Sequence, residues 1–245
     1  MDFSGKVAIV TGGSQGIGLA FTSALLDHGM KVCICDIKSE PSEDYIKKLS
    51  EEKKSNLMFQ KCDVTSFSDF NDAFEKVVAH FGRIDVVVNN AGIFIESDWK
   101  KMIEVNFIGV IHGIKLAFQF MNANNGGHGG IVINTGSNTS FEPLELGPVY
   151  SGCKHGVLGL TRSYGTDYHF AKTGVKVMAV CPGPVDTNLL HTYADFSIDR
   201  ERAKEQLKEI KPIKPDAVAQ ALIEILQKGE NGSLMRVDDQ GMRFV

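Results

Sequence analysis

The sequence predicts an α/β domain built on one doubly wound, mostly parallel sheet of about seven strands with helices on both faces. Three observations predict it. Short runs rich in β-branched residues alternate with longer segments of helical periodicity, which is the pattern of repeated βαβ units. The runs are largely apolar, as strands covered on both faces are. The length of 245 residues suits one domain of the larger α/β kind, so we expect residues 1–245 to form a single domain.

The elements follow one another in a regular order. The predicted strands cover residues 7–11, 31–36, 57–61, 84–89, 130–134 and 175–180. Apolar stripes at helical spacing are core faces, and they comprise Ile17, Ala20, Phe21, Ala24, Phe70, Phe74, Val77 and Phe81. The pattern over residues 98–124 predicts one long helix, and the pattern over residues 215–226 predicts another. The periodicity weakens at 188–212, so we expect this segment to be a mobile lid over a substrate.

Composition limits the function. The formal net charge of −4 argues against nucleic acid as a main partner and favours a small or neutral ligand. The N-terminus shows no signal-peptide pattern and no apolar run approaches membrane-spanning length, so we expect a soluble, cytoplasmic protein. The five cysteines lie mostly in apolar stretches, which predicts reduced core thiols. The seven histidines lack metal-ligand spacing, so no metal site is predicted.

A glycine-rich turn, Thr11-Gly-Gly-Ser-Gln-Gly-Ile-Gly18, joins the first strand to the first helix. Glycines let the backbone approach a pyrophosphate, whose charge is stabilised by the free N–H groups at a helix start. The spacing Gly-x-x-x-Gly-x-Gly differs from the commonest dinucleotide fingerprint, but its place between strand and helix favours nucleotide binding on a Rossmann fold. The candidate cofactor-binding residues here are Gly12, Ser14, Gln15, Gly16, Ile17 and Gly18.

Asp36 ends the second strand, close to where a dinucleotide-binding fold places an acid for the ribose hydroxyls. Its charge would repel a 2′-phosphate, and no Arg lies beside the glycine-rich turn or at Ile37. NAD is therefore favoured over NADP, and Ile37 joins Asp36 as a candidate cofactor contact. Lys38 is the nearby cation that argues the other way. In the alternative interpretation, Asp36 only ends the strand.

Two further segments follow predicted strands. Asp63 and Val64 come after the third strand, and Asn89-Asn-Ala-Gly92 comes after the fourth. Ligands bind at the carboxyl ends of strands in open α/β sheets. Small residues would let the backbone pack against an adenosine, although a turn without a ligand uses the same residues. The candidate cofactor contacts are Asp63, Val64, Asn90, Ala91 and Gly92.

Tyr150 and Lys154 are spaced so that, in a helix, the phenol and the ammonium share one face. A Tyr with its ordinary pKa of about 10 is a poor base at neutral pH, and a nearby cation favours the phenolate. Ser137 follows the predicted fifth strand and can add a hydroxyl donor to a substrate oxygen. The spacing alone is common among ordinary helix residues, so the surrounding motifs decide its meaning.

In this order, the motifs resemble the short-chain dehydrogenase/reductase family. The matches are the turn at Thr11, Asn89-Asn-Ala-Gly92, Asn106, Ser137, Tyr150, Lys154, Pro182-Gly183 and Thr187. The resemblance implies that Tyr150 is the general acid/base, that Lys154 holds the nicotinamide ribose and assists Tyr150, and that Ser137 orients the substrate oxygen. It implies that Asn106 binds a water in the proton relay, although a mid-helix polar residue bonded to backbone is the alternative.

The same resemblance implies further cofactor contacts, at Tyr150, Lys154, Pro182, Gly183, Val185 and Thr187. It also implies a homodimer formed through the helix at 98–124 and the helix that holds Tyr150. Within the family, the likeness is greatest to the NAD-dependent 15-hydroxyprostaglandin dehydrogenases, and it covers nearly the whole chain. Gly147 stands where those enzymes carry a Gln that helps to hold the substrate hydroxyl, so prostaglandin itself does not follow as the substrate.

The resulting prediction is an NAD-dependent oxidoreductase that converts a secondary alcohol to a ketone. The expected substrate is lipophilic: a hydroxy fatty acid, an eicosanoid, a steroid or a terpenoid. The candidate substrate residues are Ser137, Phe141, Gly147, Tyr150, Leu189 and Tyr193, with Phe94 and Leu146 among other apolar loop residues. A general aliphatic or steroid-type alcohol dehydrogenase and a non-catalytic NAD-binding sensor are the alternatives. The presence of Ser137, Tyr150 and Lys154 argues against the sensor.

Overall fold

Eight strands form one sheet in the order β3-β2-β1-β4-β5-β6-β7-β8. The computed structural model describes residues 2–37 and 41–245. The first seven strands run parallel, and β8 pairs antiparallel with β7 across a tight hairpin. The strand order reverses between β1 and β4, which is the point where open α/β sheets bind ligands. The predicted doubly wound α/β fold is confirmed, and β8 is a strand beyond the seven expected.

The strands are short, and all except β3 and β8 are largely buried. They are β1 Val7–Thr11, β2 Lys31–Asp36, β3 Leu57–Lys61, β4 Val86–Asn89, β5 Gly130–Thr135, β6 Val175–Pro182, β7 Leu234–Asp238 and β8 Gly241–Phe244. Side chains of β1, β4, β5 and β6 are buried on both faces, because helices cover both. Parallel strands with this burial carry continuous Val and Ile runs, which is why the sequence identifies them readily.

Twelve α-helical segments surround the sheet in the described part of the chain. They are α1 Gly16–Asp27, α2 Glu43–Lys48, α3 Glu51–Ser55, α4 Phe67–Phe81, α5 Trp99–Ile103, α6 Gly109–Phe120, α7 Pro148–Tyr164, α8 Asp167–Thr173, α9 Asn188–His191, α10 Tyr193–Phe196, α11 Arg200–Glu209 and α12 Pro215–Lys228. One core lies between the sheet and helices α1 and α12. The other lies between the opposite face and helices α4, α6 and α7.

The long helix predicted at 98–124 is present, but it is interrupted and ends earlier. A π-helical turn, Glu104–Ile108, joins α5 to α6, and α6 ends at Phe120. Asn122 then accepts a hydrogen bond from the Asn124 N–H and starts a 3-10 turn, Ala123–Asn125. Asn side chains that bond the local backbone compete with helix continuation, which explains the earlier end.

The helical stretch Glu96–Phe120 is 25 residues long and contains an 18-residue window with a mean hydropathy of 1.2, so length and composition alone would allow a membrane span. This window does not by itself overturn the expectation that no membrane span is present. Ile114, Leu116 and Ala117 of this stretch are fully buried against the protein's own core. The core helix of a water-soluble protein has the same composition, so this stretch is weak evidence for a span.

The segment 188–212, which the weak periodicity marks as a lid, contains the three short helices α9, α10 and α11. Their apolar side chains, Tyr193, Ala194, Ala203 and Leu207, pack against Phe94 and Leu146. The segment therefore lies against the loops at the carboxyl end of the sheet, and Tyr150 packs against the same cluster.

Candidate active site

The glycine-rich turn lies at the carboxyl end of β1, and its glycines are required by close contacts. A Cβ at position 18 would lie 2.1 Å from the Gly12 carbonyl oxygen. Gly12 and Gly16 have φ angles of 62° and 54°, a region that residues with a side chain rarely adopt. Helix α1, which lies wholly in the described part of the chain, starts without a side-chain cap or an acidic residue in its first turn. This arrangement fits the pyrophosphate of a dinucleotide.

Asp36 lies beside this turn at the end of β2 and is only 7% exposed. Its Oδ2 accepts a hydrogen bond from the Ser14 N–H at 3.1 Å, so the carboxylate also holds the shape of the turn. Ile37 is exposed next to it. Lys38, the cation that argued for NADP, lies outside the described residues. The carboxylate is thus placed beside the site where a ribose would lie.

Thr11 and Asn90 join the ends of β1 and β4. The Thr11 hydroxyl accepts hydrogen bonds from the Asn90 and Ala91 N–H groups at 2.9 and 3.0 Å. The Asn90 amide donates back to the Thr11 carbonyl at 2.9 Å. A Cβ at Gly12 would lie 3.0 Å from Ala91 Cα. These contacts hold the two predicted cofactor loops together.

Other predicted cofactor residues have structural partners. Asp63 accepts hydrogen bonds from the Thr65 N–H and hydroxyl at 2.9 and 2.8 Å, and the Val64 carbonyl bonds His112 Nδ1 at 2.9 Å. The Val185 side chain is buried in the core under α12. Pro182 ends β6, the Gly183 N–H donates to the Val237 carbonyl, and Gln15 and Ile17 flank Gly16 at the start of α1. A Cβ at Gly16 would be 3.4 Å from Thr187 Cγ2, so Thr187 lies against the glycine-rich turn.

Asn106 is fully buried in the π-helical turn. Its Oδ1 accepts a hydrogen bond from the Ile93 N–H at 2.8 Å, and its Nδ2 donates to the Ile93 carbonyl at 2.7 Å. A Cβ at Gly92 would lie 3.3 Å from Asn106 Oδ1. The side chain therefore ties the helix to the loop after β4, as the backbone-bonded alternative describes. This π-helical turn interrupts the helix, and such turns often occur at functional sites.

Ser137, Tyr150 and Lys154 meet at the carboxyl end of β5. Ser137 caps a 3-10 turn, Asn138–Ser140, and its hydroxyl accepts a hydrogen bond from the Thr139 N–H at 3.2 Å. Tyr150 lies in the first turn of α7, and Lys154 lies one turn later. Lys154 is 4% exposed, its Nζ donates to the Thr135 carbonyl at 2.7 Å, and it lies 5.6 Å from the centre of the Tyr150 ring.

Burial sets the protonation of this site. It raises the pKa of Tyr150 to about 12, and a hydrogen bond with Ser137 opposes this rise. It lowers the pKa of Lys154 to about 8. Burial shifts both groups towards their neutral forms, whereas the spacing of Tyr150 and Lys154 predicted that the cation would favour the phenolate. Perturbed groups that meet in one site with a hydroxyl donor are typical of acid/base chemistry.

Replacing Lys154 with Met should leave the folded state about as stable as wild type, or more stable, at pH 7. The lowered pKa corresponds to about 3 kcal/mol of cost for the buried charge, whereas the unpaired Thr135 carbonyl costs about 1–3 kcal/mol. Between the folded pKa of about 8 and the unfolded value of 10.5, the unfolded state binds more protons. Wild-type stability should therefore rise relative to Lys154→Met across this window. Urea unfolding of both proteins at pH 7 and 9.5 measures the effect, and a constant difference would contradict it.

The candidate substrate residues divide into two groups. Tyr193 packs on the Phe94 ring at 4.9 Å, and Phe94 contacts the Tyr150 ring at 5.3 Å. Gly147 is buried beside Phe94, and a Cβ there would lie 2.6 Å from Phe94 Cε2. Phe141 instead packs on the cluster of Leu158, Ala179, Cys181 and Leu234, with Arg236 over its ring. Leu189 is 36% exposed on α9.

Glu96 is a site residue that the sequence analysis did not identify. It is 8% exposed, and it accepts hydrogen bonds from the Val149 and Tyr150 N–H groups at 3.3 and 2.9 Å. Its partners lie more than fifty residues away in the chain, so no local pattern marks it. The only signal is that Gly147-Pro148 starts a helix without a side-chain cap.

Comparisons with known proteins agree with this geometry. The short chain dehydrogenase family model matches residues 6–197. The 15-hydroxyprostaglandin dehydrogenase (NAD+) of Mus musculus is 37% identical, with 100% of this chain and 94% of that protein covered. The Homo sapiens enzyme of the same name is 36% identical, with 100% and 95% covered. Alcohol dehydrogenase 2 of Ceratitis cosyra is 30% identical, with 98% and 94% covered.

A solved structure also matches over nearly the whole chain. Ligand-free aldohexose dehydrogenase of Thermoplasma acidophilum superposes with a TM-score of 0.78 at 27% identity, with 97% of this chain and 94% of that chain covered. The resemblance inferred from the motifs is confirmed, including the likeness to 15-hydroxyprostaglandin dehydrogenases. The chain belongs to the short chain dehydrogenase family.

Proposed function

We propose that this short chain dehydrogenase oxidises a secondary alcohol of a lipophilic substrate to a ketone with NAD. The observation that carries the proposal is the meeting of Ser137, Tyr150 and Lys154 at the carboxyl edge of the sheet, where Ser137 hydrogen-bonds Tyr150 and Lys154 Nζ lies 5.6 Å from the centre of the Tyr150 ring. The glycine-rich turn lies at that same edge. Proton transfer and a dinucleotide site are the two parts that alcohol oxidation needs.

Each residue has a definable task. The substrate hydroxyl gives its proton to the Tyr150 phenolate oxygen, and the Ser137 hydroxyl donates a hydrogen bond to the same substrate oxygen. Lys154, as an ammonium, stabilises the phenolate and is placed to hold the nicotinamide ribose. The glycine-rich turn and the start of α1 hold the pyrophosphate, and Asp36 binds the ribose hydroxyls. NAD, when bound, supplies the acceptor for the hydride that leaves the carbinol carbon.

The choice of NAD rests on charge. Asp36 lies against the glycine-rich turn through Ser14, where a 2′-phosphate would meet its carboxylate. The names of the 15-hydroxyprostaglandin dehydrogenases to which the chain is similar also specify NAD(+). Binding of NADP as tight as that of NAD would contradict this role for Asp36.

The lipophilic substrate class is supported by the surroundings of Tyr150. Phe94, Leu146, Tyr193 and Ala194 form a buried apolar cluster that Tyr150 contacts. Gly147 adds no polar group there, because Phe94 and Leu144 fill the space that a side chain would need. The carbinol would therefore be held by Ser137 and Tyr150, and the rest of the substrate by apolar contact. Closing of the lid segment over the substrate is part of this proposal.

A substrate screen tests the proposal. NADH formation is measured with hydroxy fatty acids, hydroxylated eicosanoids, steroids, terpenoids and short aliphatic alcohols, each with NAD and with NADP. We expect kcat/KM with NAD to be at least ~10-fold higher for a lipophilic secondary alcohol than for a short one, since each buried CH₂ contributes about 0.8 kcal/mol. Equal turnover of short alcohols would overturn the lipid class. No turnover of any alcohol would favour an NAD-binding sensor.

We also propose a homodimer in the cytoplasm, formed through the long helix and α7. Trp99, at the start of α5, is 48% exposed, and much of the apolar stretch Glu96–Phe120 is not buried within the single chain. Apolar side chains that stay partly exposed on one chain can be covered by a partner. A light-scattering mass near 26.8 kDa, the mass of one chain, would contradict the dimer.

A further inference from the structure

The first backbone amides of helix α7 need hydrogen-bond acceptors that the residues before the helix do not supply. Tyr150 lies in its first turn, and Gly147, which precedes it, provides no side-chain cap within this described segment. A side chain at 147 would force its neighbours to move, because its Cβ would lie 2.6 Å from Phe94 Cε2 and 2.7 Å from Leu144 Cδ2. Pro148 has no N–H, so Val149 and Tyr150 carry the first amide donors of the helix that need an outside acceptor.

Glu96 supplies both acceptors from another part of the chain. Its Oε1 accepts from the Tyr150 N–H at 2.9 Å, and its Oε2 accepts from the Val149 N–H at 3.3 Å. The residue is 8% exposed, and it forms no ion pair within residues 2–37 and 41–245. A buried carboxylate without a cation is costly unless hydrogen bonds compensate it. The two amides and the positive end of the helix therefore determine where this carboxylate lies.

Glu96 belongs to the loop that follows β4. In the same loop, Ile93 is bonded to Asn106 and Phe94 packs edge-on against the Tyr150 ring. The loop begins with Asn90, whose amide is bonded to Thr11 beside the glycine-rich turn. A continuous set of contacts thus joins the proposed dinucleotide site to the backbone of the proposed base.

We propose that Glu96 is a positioning residue for Tyr150: its carboxylate replaces the cap that Gly147 cannot provide and fixes the phenol relative to Ser137 and the dinucleotide site. This inference rests on the proposed role of Tyr150 as general base. Reacting groups must be placed closely for proton and hydride transfer, and a displacement of 1 Å can reduce the rate about 100-fold. Glu96 touches neither the substrate nor the transferred proton.

The test compares Glu96→Ala and Glu96→Gln with wild type. In Glu96→Ala, we expect kcat to fall about 10- to 100-fold while the Kd for NAD changes less than about threefold. The primary deuterium isotope effect from the carbinol hydrogen should rise, because the chemical step becomes slower. Amide hydrogen exchange at Val149 and Tyr150 should accelerate. Glu96→Gln keeps one acceptor oxygen and should recover part of the rate, and added formate should rescue Glu96→Ala in a saturable way.

The matched control is Ser50→Ala. The Ser50 hydroxyl caps α3 by accepting from the Lys53 N–H at 3.3 Å, so this variant also loses a helix cap, in a segment that precedes β3 and lies away from the site. Its kcat should stay within about twofold of wild type. A Glu96→Ala enzyme with wild-type kcat would overturn the inference. So would a fall in kcat that only equals the fraction of unfolded Glu96→Ala protein and leaves the isotope effect unchanged. If wild type turns over no alcohol, the proposed function fails. If amide exchange at Val149 and Tyr150 is unchanged in Glu96→Ala, Glu96 does not hold the start of α7 and the present inference fails.

Discussion

Replacing Tyr150 with Phe should lower kcat for alcohol oxidation by about 1,000-fold while the Kd for NAD stays within about threefold. The substitution removes the oxygen that accepts the substrate proton, and general acid/base catalysis contributes roughly 10²–10⁴ to a rate. It keeps the ring, which packs edge-on against Phe94 at 5.3 Å. The folded state should lose no more than about 1 kcal/mol, the net value of the hydrogen bond that the hydroxyl makes with Ser137.

The measurement combines NADH formation with a fluorescence titration of NAD. Tyr164→Phe is the control, since Tyr164 lies at the far end of the same helix and packs against Phe118 at 5.4 Å. Its kcat should equal that of wild type. In wild type the rate should rise with pH as the phenolate fraction grows, and this rise should be absent from the residual activity of Tyr150→Phe. A variant that keeps more than about a tenth of wild-type kcat would show that another group takes the proton.

The parts of the site that the sequence predicts share a physical origin. Parallel strands end at one edge of the sheet, so residues that follow successive strands come together whatever their separation in the chain. Asp36 ends β2, Asn90 follows β4, and Ser137 follows β5. The helical spacing of Tyr150 and Lys154 then places both on one face of α7. Strand order and helix period bring these residues together, and the family resemblance of the motifs then identified their roles.

The parts that the sequence does not predict depend on tertiary contacts. Glu96 finds its amide partners 53 and 54 residues away, and its role follows only from the lack of space at Gly147. Lys154 is buried and bonded to the Thr135 carbonyl, whereas a lysine in a sequence predicts an exposed side chain. Phe141 has the composition of a pocket residue, yet it packs between α7 and the last strands.

The segment 188–212 shows a related limit. Helices α9 and α10 have four residues each, and α11 has an exposed, strongly charged surface. Such short pieces lack the repeated apolar face by which helices are identified. They are stabilised by a few contacts, chiefly Tyr193, Ala203 and Leu207 against the Phe94 cluster. A pattern this weak indicated a change of structure at 188–212 but not its helices.

Replacing Gly18 with Ala should weaken NAD binding about 100-fold and lower the free energy of unfolding by about 1–3 kcal/mol. The new Cβ would lie 2.1 Å from the Gly12 carbonyl oxygen and 2.7 Å from Asn90 Nδ2. Neither neighbour can withdraw alone, because the Asn90 amide is bonded to the Thr11 carbonyl at 2.9 Å. The glycine-rich turn must therefore open, which displaces the amide groups that would bind the pyrophosphate.

Thermal and urea unfolding with and without NAD measure both effects. At an NAD concentration about 100 times the wild-type Kd, the ligand stabilises wild type by about 2.7 kcal/mol, and a 100-fold weaker Kd reduces this to about 0.4 kcal/mol. Gly159→Ala is the control, since a Cβ at this helical glycine meets nothing within 4 Å. The free energy of unfolding of Gly159→Ala should rise by up to about 1 kcal/mol, and NAD should stabilise it as much as wild type. The present backbone and the added methyl group cannot coexist. If folded Gly18→Ala protein were still stabilised by NAD as strongly as wild type, the pyrophosphate site would therefore have to lie away from this turn.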